Sequence, residues 1–272
     1  MPNPVRLPAT RWPRLHLVEF TDMPGLPRPL RRWLGDYLRG IVTLTRLFEP
    51  TAAHIAGLLS ATGGDRIVDL CSGAGGPWPA LARPVEAALG RPVKVLLTDL
   101  HPDADTWAWL EASDSAGVSG HPGSVPADDV PATLPGVRTV FDGLHHLPPH
   151  AVRAVLADAV KQGVPFLAAE AVERSALGFA GVLLSPILVW AVTPFLRPLS
   201  LSRLLLTYLV PIVPLMVLWD GIVSVLRCYR PEELRALTAG LDDGYEWRVE
   251  RARPRGPAAT FLVGTPRARR EG

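Results

Sequence analysis

The chain has 272 residues, 48% of them hydrophobic, and a formal net charge of +2. That length allows one large domain with an insertion or two small ones, and charge of both signs in near balance gives nucleic-acid binding no electrostatic support. Two cysteines, Cys71 and Cys228, stand apart and form no Cys-x-x-Cys pair; a reducing compartment is expected, and a cytoplasmic one, because the first twenty residues hold no continuous apolar core of signal-peptide length.

Residues 1–30 are rich in proline and read as irregular. Residues 31–60 read as helices, with Trp33, Leu34, Tyr37, Leu38, Ile41 and Val42 at helical spacing and Arg31, Arg32, Arg39 and Arg46 between them. Such a basic amphipathic helix suits an anionic membrane surface, or covers a core with its arginines solvated. From 65 to 170 the pattern alternates. Apolar, β-branched runs at 66–70, 93–98, 138–141 and 164–169 are separated by helical stretches at 78–89, 104–113 and 149–161. That alternation predicts an α/β fold, a doubly wound, mostly parallel sheet covered on both faces. Residues 116–136 are expected to hold one short strand and a proline-rich loop. "RPEEL" opens a further helix at Pro231. The segments 245–253 and 258–264 read as a closing antiparallel hairpin around "PRGP".

The first strand runs into "IVDLCSGAGGPW", residues 67–78. Gly73, Gly75 and Gly76 permit a tight turn and close approach of backbone to a ligand, and Pro77 suits the start of a helix. A P-loop would need Lys followed by Ser or Thr after the last glycine, and Pro77-Trp78 stand there. A dinucleotide fingerprint would need a glycine where Trp78 stands. A nucleoside without a pyrophosphate meets neither objection. The second strand, "VKVLLTDL", ends in Asp99, and an acid at that place can accept both hydroxyls of a ribose.

The ordered set "VDLCSGAGG", "LLTDLHP" and "TVFDGLHHLPP" resembles the class I S-adenosylmethionine-dependent methyltransferases, over about residues 60–172 and 228–264. The resemblance implies a seven-stranded sheet with a reversed last strand, and S-adenosylmethionine as cofactor. It implies that Asp69 and the turn Cys71, Ser72, Gly73, Ala74 and Gly75 receive the methionine part and that Asp99 holds the ribose. Leu100 would lie against one side of adenine and Val125, Pro126 and Ala127 against the other. Two positions depart from the pattern: Cys71 replaces a glycine, and Pro126 stands where an acid often meets the adenine amine, leaving Asp128 or Asp129 to substitute.

In that family the end of the fourth strand faces donor and acceptor, which makes His145 and His146 candidates for catalysis. In extended backbone consecutive residues point to opposite sides, so at most one of the two is expected to face the acceptor. A histidine suits proton removal near neutral pH; packing against the cofactor is the alternative. Glu170 ends the fifth strand on the same edge and is expected to position the substrate or to pair with Arg174. No metal is expected, since the spacing of His145, His146, His150 and Glu170 matches no standard ligand set.

Ser175 to Leu196 and Leu204 to Trp219 carry no charge. If helical, the first run would be about 33 Å long, enough to cross a bilayer, and the second about 24 Å. Pro186, Pro194, Pro211 and Pro214 break them, and a spanning hairpin would put Arg197 and Arg203 on the wrong side. A hydrophobic helical insertion that touches or enters a membrane is expected first, and a lid over an apolar substrate second. Tyr208, Trp219 and Asp220 would line or close the pocket, with Arg227 as a partner for Asp220. Three regions are therefore expected: N-terminal helices at 1–60, a core at 61–172 and 228–272, and the insertion at 173–227. The function expected is methylation of a hydrophobic small molecule or lipid, at oxygen by default. A nucleotide-dependent oxidoreductase and a non-catalytic membrane-associated module on the same scaffold are the alternatives. Oligomeric state is left open.

Overall fold

The computed structural model describes residues 7–10, 12–113, 117–241, 244–252 and 259–267. Its strands are β1 (Arg66–Leu70), β2 (Lys94–Leu97), β3 (Val118–Gly120), β4 (Val137–Phe141), β5 (Phe166–Glu170), β6 (Tyr245–Ala252) and β7 (Ala259–Pro266), in the sheet order β3-β2-β1-β4-β5-β7-β6. The first five are parallel, and β7 runs antiparallel between β5 and β6. The reversed strand is thus β7, and the expected "PRGP" turn lies outside the described residues.

The helices are α1 (Arg28–Thr45), α2 (Ala52–Thr62), α3 (Trp78–Leu89), α4 (Ala104–Ala112), α5 (Pro149–Lys161), α6 (Ala176–Leu183), α7 (Ser185–Val192), α8 (Leu201–Leu204), α9 (Ile212–Arg227) and α10 (Pro231–Thr238). Side chains that alternate along the strands divide the core in two. Ile67, Val95, Leu97, Val137 and Leu167 pack with α2, α3 and α4 on one face, while Val68, Leu70, Val140, Phe166 and Ala168 pack with α5 and α10 on the other. Because strands β1 to β5 share one direction, their carboxyl ends bring Asp69, Asp99, His145 and Glu170 to a single edge.

The prolines of the apolar segment divide it into short helices. Pro186 lies in the first turn of α7, Pro194 in the short 3-10 turn Thr193–Phe195, Pro211 just before α9 and Pro214 in its first turn. No single described helix is long and apolar enough to cross a membrane. Two pairs, Ala176–Leu183 with Ser185–Phe195 and Leu201–Leu209 with Ile212–Arg227, meet the length and composition criterion together, bent by 40° and 75°.

This segment rests on α1. Trp33 and Tyr37 of α1 pack with Val189, Val192, Leu196 and Val213. A buried ion pair fastens the contact: Arg203 donates to Asp36 at 3.0 Å and to the carbonyls of Leu196 and Pro198 at 2.7 and 2.9 Å. Asp36 also accepts from Arg39 at 2.7 Å, and Arg39 reaches the carbonyl of Ala74 at 3.0 Å. The apolar segment is thereby tied, through α1, to the glycine turn. Removing one partner from a buried pair leaves a charge uncompensated, so Arg203→Ala should cost about 3 kcal/mol, read as a lower thermal midpoint. Arg197→Ala, at an exposed neighbour, should change stability by less than about 0.5 kcal/mol.

Candidate active site

The glycine turn takes the left-handed conformation its composition invites. Gly73, Gly75 and Gly76 have φ of +49°, +95° and +51°, and Cys71 also lies there, at +55°. At Gly73 and Gly76 a Cβ would meet nothing within 4 Å, so the turn faces open space. Trp107 of α4 steadies it with an indole N–H to the carbonyl of Gly73 at 2.9 Å. Trp78, fully buried, packs edge-on against Phe141 at 5.6 Å. Bulk fills the place where a dinucleotide site needs a third glycine.

Asp69 holds the turn from below. Its carboxylate accepts from Thr139 at 2.6 Å and from Ser72 at 2.7 Å, and its carbonyl accepts from the N–H and the hydroxyl of Thr98 at 2.8 and 2.7 Å. Burial pushes its pKa up to about 6, against the two hydroxyl bonds that favour the charged form. The carboxylate expected to meet the methionine part is thus 1% exposed and committed to the fold. Asp99 behaves otherwise. It is half-buried at the open edge, and its carboxylate accepts the backbone N–H groups of Gly73 at 3.0 Å and His101 at 2.8 Å. Leu100 beside it is 53% exposed. Facing segments are laced together: Val125 donates to the Asp99 carbonyl at 2.9 Å and Ser124 to that of Leu100 at 2.7 Å. Val125 is buried, Pro126 and Ala127 are partly covered, and Asp128 and Asp129 are exposed.

At the end of β4 the chain does not stay extended. Leu144–His146 form a 3-10 turn, and the rings of His145 and His146 lie 4.3 Å apart on the same side. The expectation of opposite directions fails because it assumed strand geometry. His145 Nδ1 is 2.5 Å from Glu170, whose other oxygen accepts the N–H of Leu144 at 2.9 Å. His146 Nδ1 is 2.8 Å from Asp22. Burial drives His145 down to about 3, so the ring is neutral at pH 7, and drives Glu170 up to about 7. For His146 burial acts in the same downward direction, but its bond to Asp22 and the charge of Glu19 outweigh it and the pKa rises.

Glu170 therefore serves His145, not Arg174, which pairs with Glu233 at 2.6 Å. Asp220 does not meet Arg227 either; it accepts the N–H groups of Phe20 and Thr21 at 2.7 and 3.3 Å. Arg227 pairs instead with Glu19 at 3.2 Å and Asp22 at 2.6 Å. Trp219 donates to the carbonyl of Val18 at 3.0 Å, and the Tyr208 hydroxyl donates to that of Trp190. Both rings are half-exposed. His150 is exposed on α5 and stands apart from the pair.

Sequence reading passed over three acids here. Glu19 is 3% exposed and lies 3.8 Å from Nε2 of both His145 and His146. Asp22 orients His146. Asp142, at φ +48°, accepts the N–H of Ala171 at 2.6 Å. The available signal for Glu19 was an acid inside the apolar "HLVEF" of an otherwise proline-rich segment.

By sequence, neither a family model nor a curated protein matches the chain. Solved structures do. The mitomycin 7-O-methyltransferase MmcR is similar over 92% of this chain and 61% of its own, at 17% identity and a TM-score of 0.51. Human N-acetylserotonin methyltransferase, in complex with S-adenosylmethionine, is similar over 91% of this chain and 62% of its own, at 13% identity and a TM-score of 0.47. Magnesium protoporphyrin IX methyltransferase from Synechocystis PCC 6803, with bound S-adenosylhomocysteine, matches over 86% and 97%, at 14% and 0.43. The likeness to MmcR, with the strand order and reversed β7, places this chain in the class I methyltransferase fold; the chain spans about 61% of that protein's length.

A side chain at φ +55° costs about 1–2 kcal/mol at Cys71. Cys71→Gly should therefore match or exceed the wild-type denaturant midpoint, while Cys71→Val, β-branched where φ is positive, should lose about 2 kcal/mol.

Proposed function

We propose that this chain is an S-adenosylmethionine-dependent methyltransferase acting on a hydrophobic small molecule or lipid, with oxygen as the default acceptor atom. The observation that carries the reading is the left-handed glycine turn, open on its outer side, with Asp99 held beside it by the N–H of Gly73. A Cβ at Gly73 would project into the space a ligand needs, so the residues present fit the cofactor.

Bound there, S-adenosylmethionine supplies a methyl group on a sulfonium. The chain supplies the placement. Asp99 takes the ribose hydroxyls, a charged bond of about 1.5–3 kcal/mol. Leu100 and the segment Val125–Ala127 enclose adenine. Asp69 acts one step removed, fixing the turn through Ser72. His145, His146 and Glu170 stand on the acceptor side, Glu170 as a positioning residue that fixes the plane of the His145 ring. Alignment of donor and acceptor supplies much of the rate of such a displacement.

A hydrophobic acceptor fits the surface of the apolar segment. Leu177, Leu183, Phe195, Leu201, Leu209 and Leu215 are 59–77% exposed. Two polar groups among them bond within the segment, the Trp190 N–H to the carbonyl of Thr207 at 3.0 Å and the Tyr208 hydroxyl to that of Trp190. A surface this apolar suits contact with lipid, and each such side chain gains about 1.5–3 kcal/mol when buried. Contact with a membrane surface is part of this proposal.

Two outcomes are expected. Calorimetry should detect stoichiometric S-adenosylhomocysteine binding, weakened about 10- to 100-fold by Asp99→Ala; an unchanged affinity in that variant would remove the ribose assignment. The wild-type chain should sediment with phosphatidylglycerol vesicles, and Leu183→Glu combined with Leu209→Glu should reduce the bound fraction at least fivefold while leaving cofactor affinity unchanged.

A further inference from the structure

The two histidines and Glu19 share a feature that cofactor binding does not use. Each ring is held at Nδ1 by a carboxylate, His145 by Glu170 and His146 by Asp22. Each then turns Nε2 toward the same third carboxylate, Glu19, at 3.8 Å. His145 Nε2 is buried and has no hydrogen-bond partner among the described residues. One ligand atom from each of the three residues can be chosen so that all lie within 4.8 Å of one another. A ring nitrogen fixed from behind by a carboxylate, with the other nitrogen free, is how metal-ligating histidines are presented.

We propose that Glu19, His145 and His146 form a site for a divalent transition-metal ion, of the kind that takes nitrogen and oxygen donors. Metal–ligand bonds of 2.0–2.1 Å place tetrahedral ligands about 3.3 Å apart, so an ion requires the three groups, now within 4.8 Å of one another, to close inward by up to about 1.5 Å. Glu19, Asp22 and Glu170 adjoin the rings; Arg227 meets Glu19 and Asp22 and lies 3.4 Å from His146 Nδ1, and Arg14 donates to the carbonyl of His145. Arg227 engages Glu19 through Oε1, while Oε2 faces His146. Three protein ligands leave a position open. On the methyltransferase reading, which this inference deepens, that position receives the acceptor's oxygen and polarises it.

The test uses the full chain, stripped with a chelator and then equilibrated with Zn2+ or Co2+. One equivalent of Zn2+ should remain after gel filtration, and Co2+ should give visible d–d absorption. Glu19→Gln and His146→Ala should each weaken Zn2+ binding at least tenfold. Both should keep S-adenosylhomocysteine affinity within about twofold, which separates this site from the cofactor site. His146 is half-exposed, so its variant carries the test if Glu19→Gln lowers the melting temperature sharply. No stoichiometric metal in the wild type, or binding that survives both substitutions, would overturn the proposal. Loss of S-adenosylhomocysteine binding with metal binding intact would count against the methyltransferase reading alone.

Discussion

Asp69 is the point on which the carboxyl edge of the sheet depends. Its carboxylate and carbonyl together bind Thr139 of β4, Thr98 just after β2, and Ser72 of the glycine turn. A carboxylate this deeply buried is costly when charged, and it is retained with two hydroxyl donors on its oxygens. The consequence is geometric. With Ser72 and Thr98 fixed to Asp69, the turn is held where Gly73 can donate to Asp99, and the acid that would receive a ribose is aimed by the acid that lies beneath it. One is structural and dry, the other lies at the open edge, and the difference in exposure separates their roles.

Two further tethers connect peripheral segments to this edge. From the apolar side, Arg203, Asp36 and Arg39 form a buried line that ends on the carbonyl of Ala74, inside the turn. From the N-terminal side, Arg14 donates to the carbonyls of His145, Leu147 and Arg227, and Asp220 receives Phe20 and Thr21. Residues 14–22 thus form a strap between α9 and the histidine pair, and bring Glu19 to their nitrogens. The glycine-turn end of the edge is built from the strands themselves, whereas the histidine end is completed by parts of the chain far away in sequence.

That division explains what could be read in advance. Strand positions, the glycine turn and Asp99 follow from local rules: a period of two, a need for positive φ, an acid at a strand end. The order of the core elements was legible for the same reason, and proline placement foretold the breaks between α6 and α9. The histidine pair was found, but its directions were not, because a 3-10 turn replaced the extended backbone assumed for it. Glu19, Asp220 and Arg227 depend on contacts across some 80 to 205 residues of chain, and nothing in their own neighbourhoods specifies those partners. Cys71 was legible as an irregularity; that it accepts a left-handed conformation required coordinates.

The central claim is that this edge transfers a methyl group to an apolar acceptor. Incubation of the purified chain and lipid extract with S-adenosylmethionine labelled in its methyl group addresses it directly. The account predicts label in the organic phase, in amounts that fall to background with His145→Ala although that variant still binds S-adenosylhomocysteine. Tight cofactor binding with no label in any extract fraction, or equal label with and without His145, would contradict it.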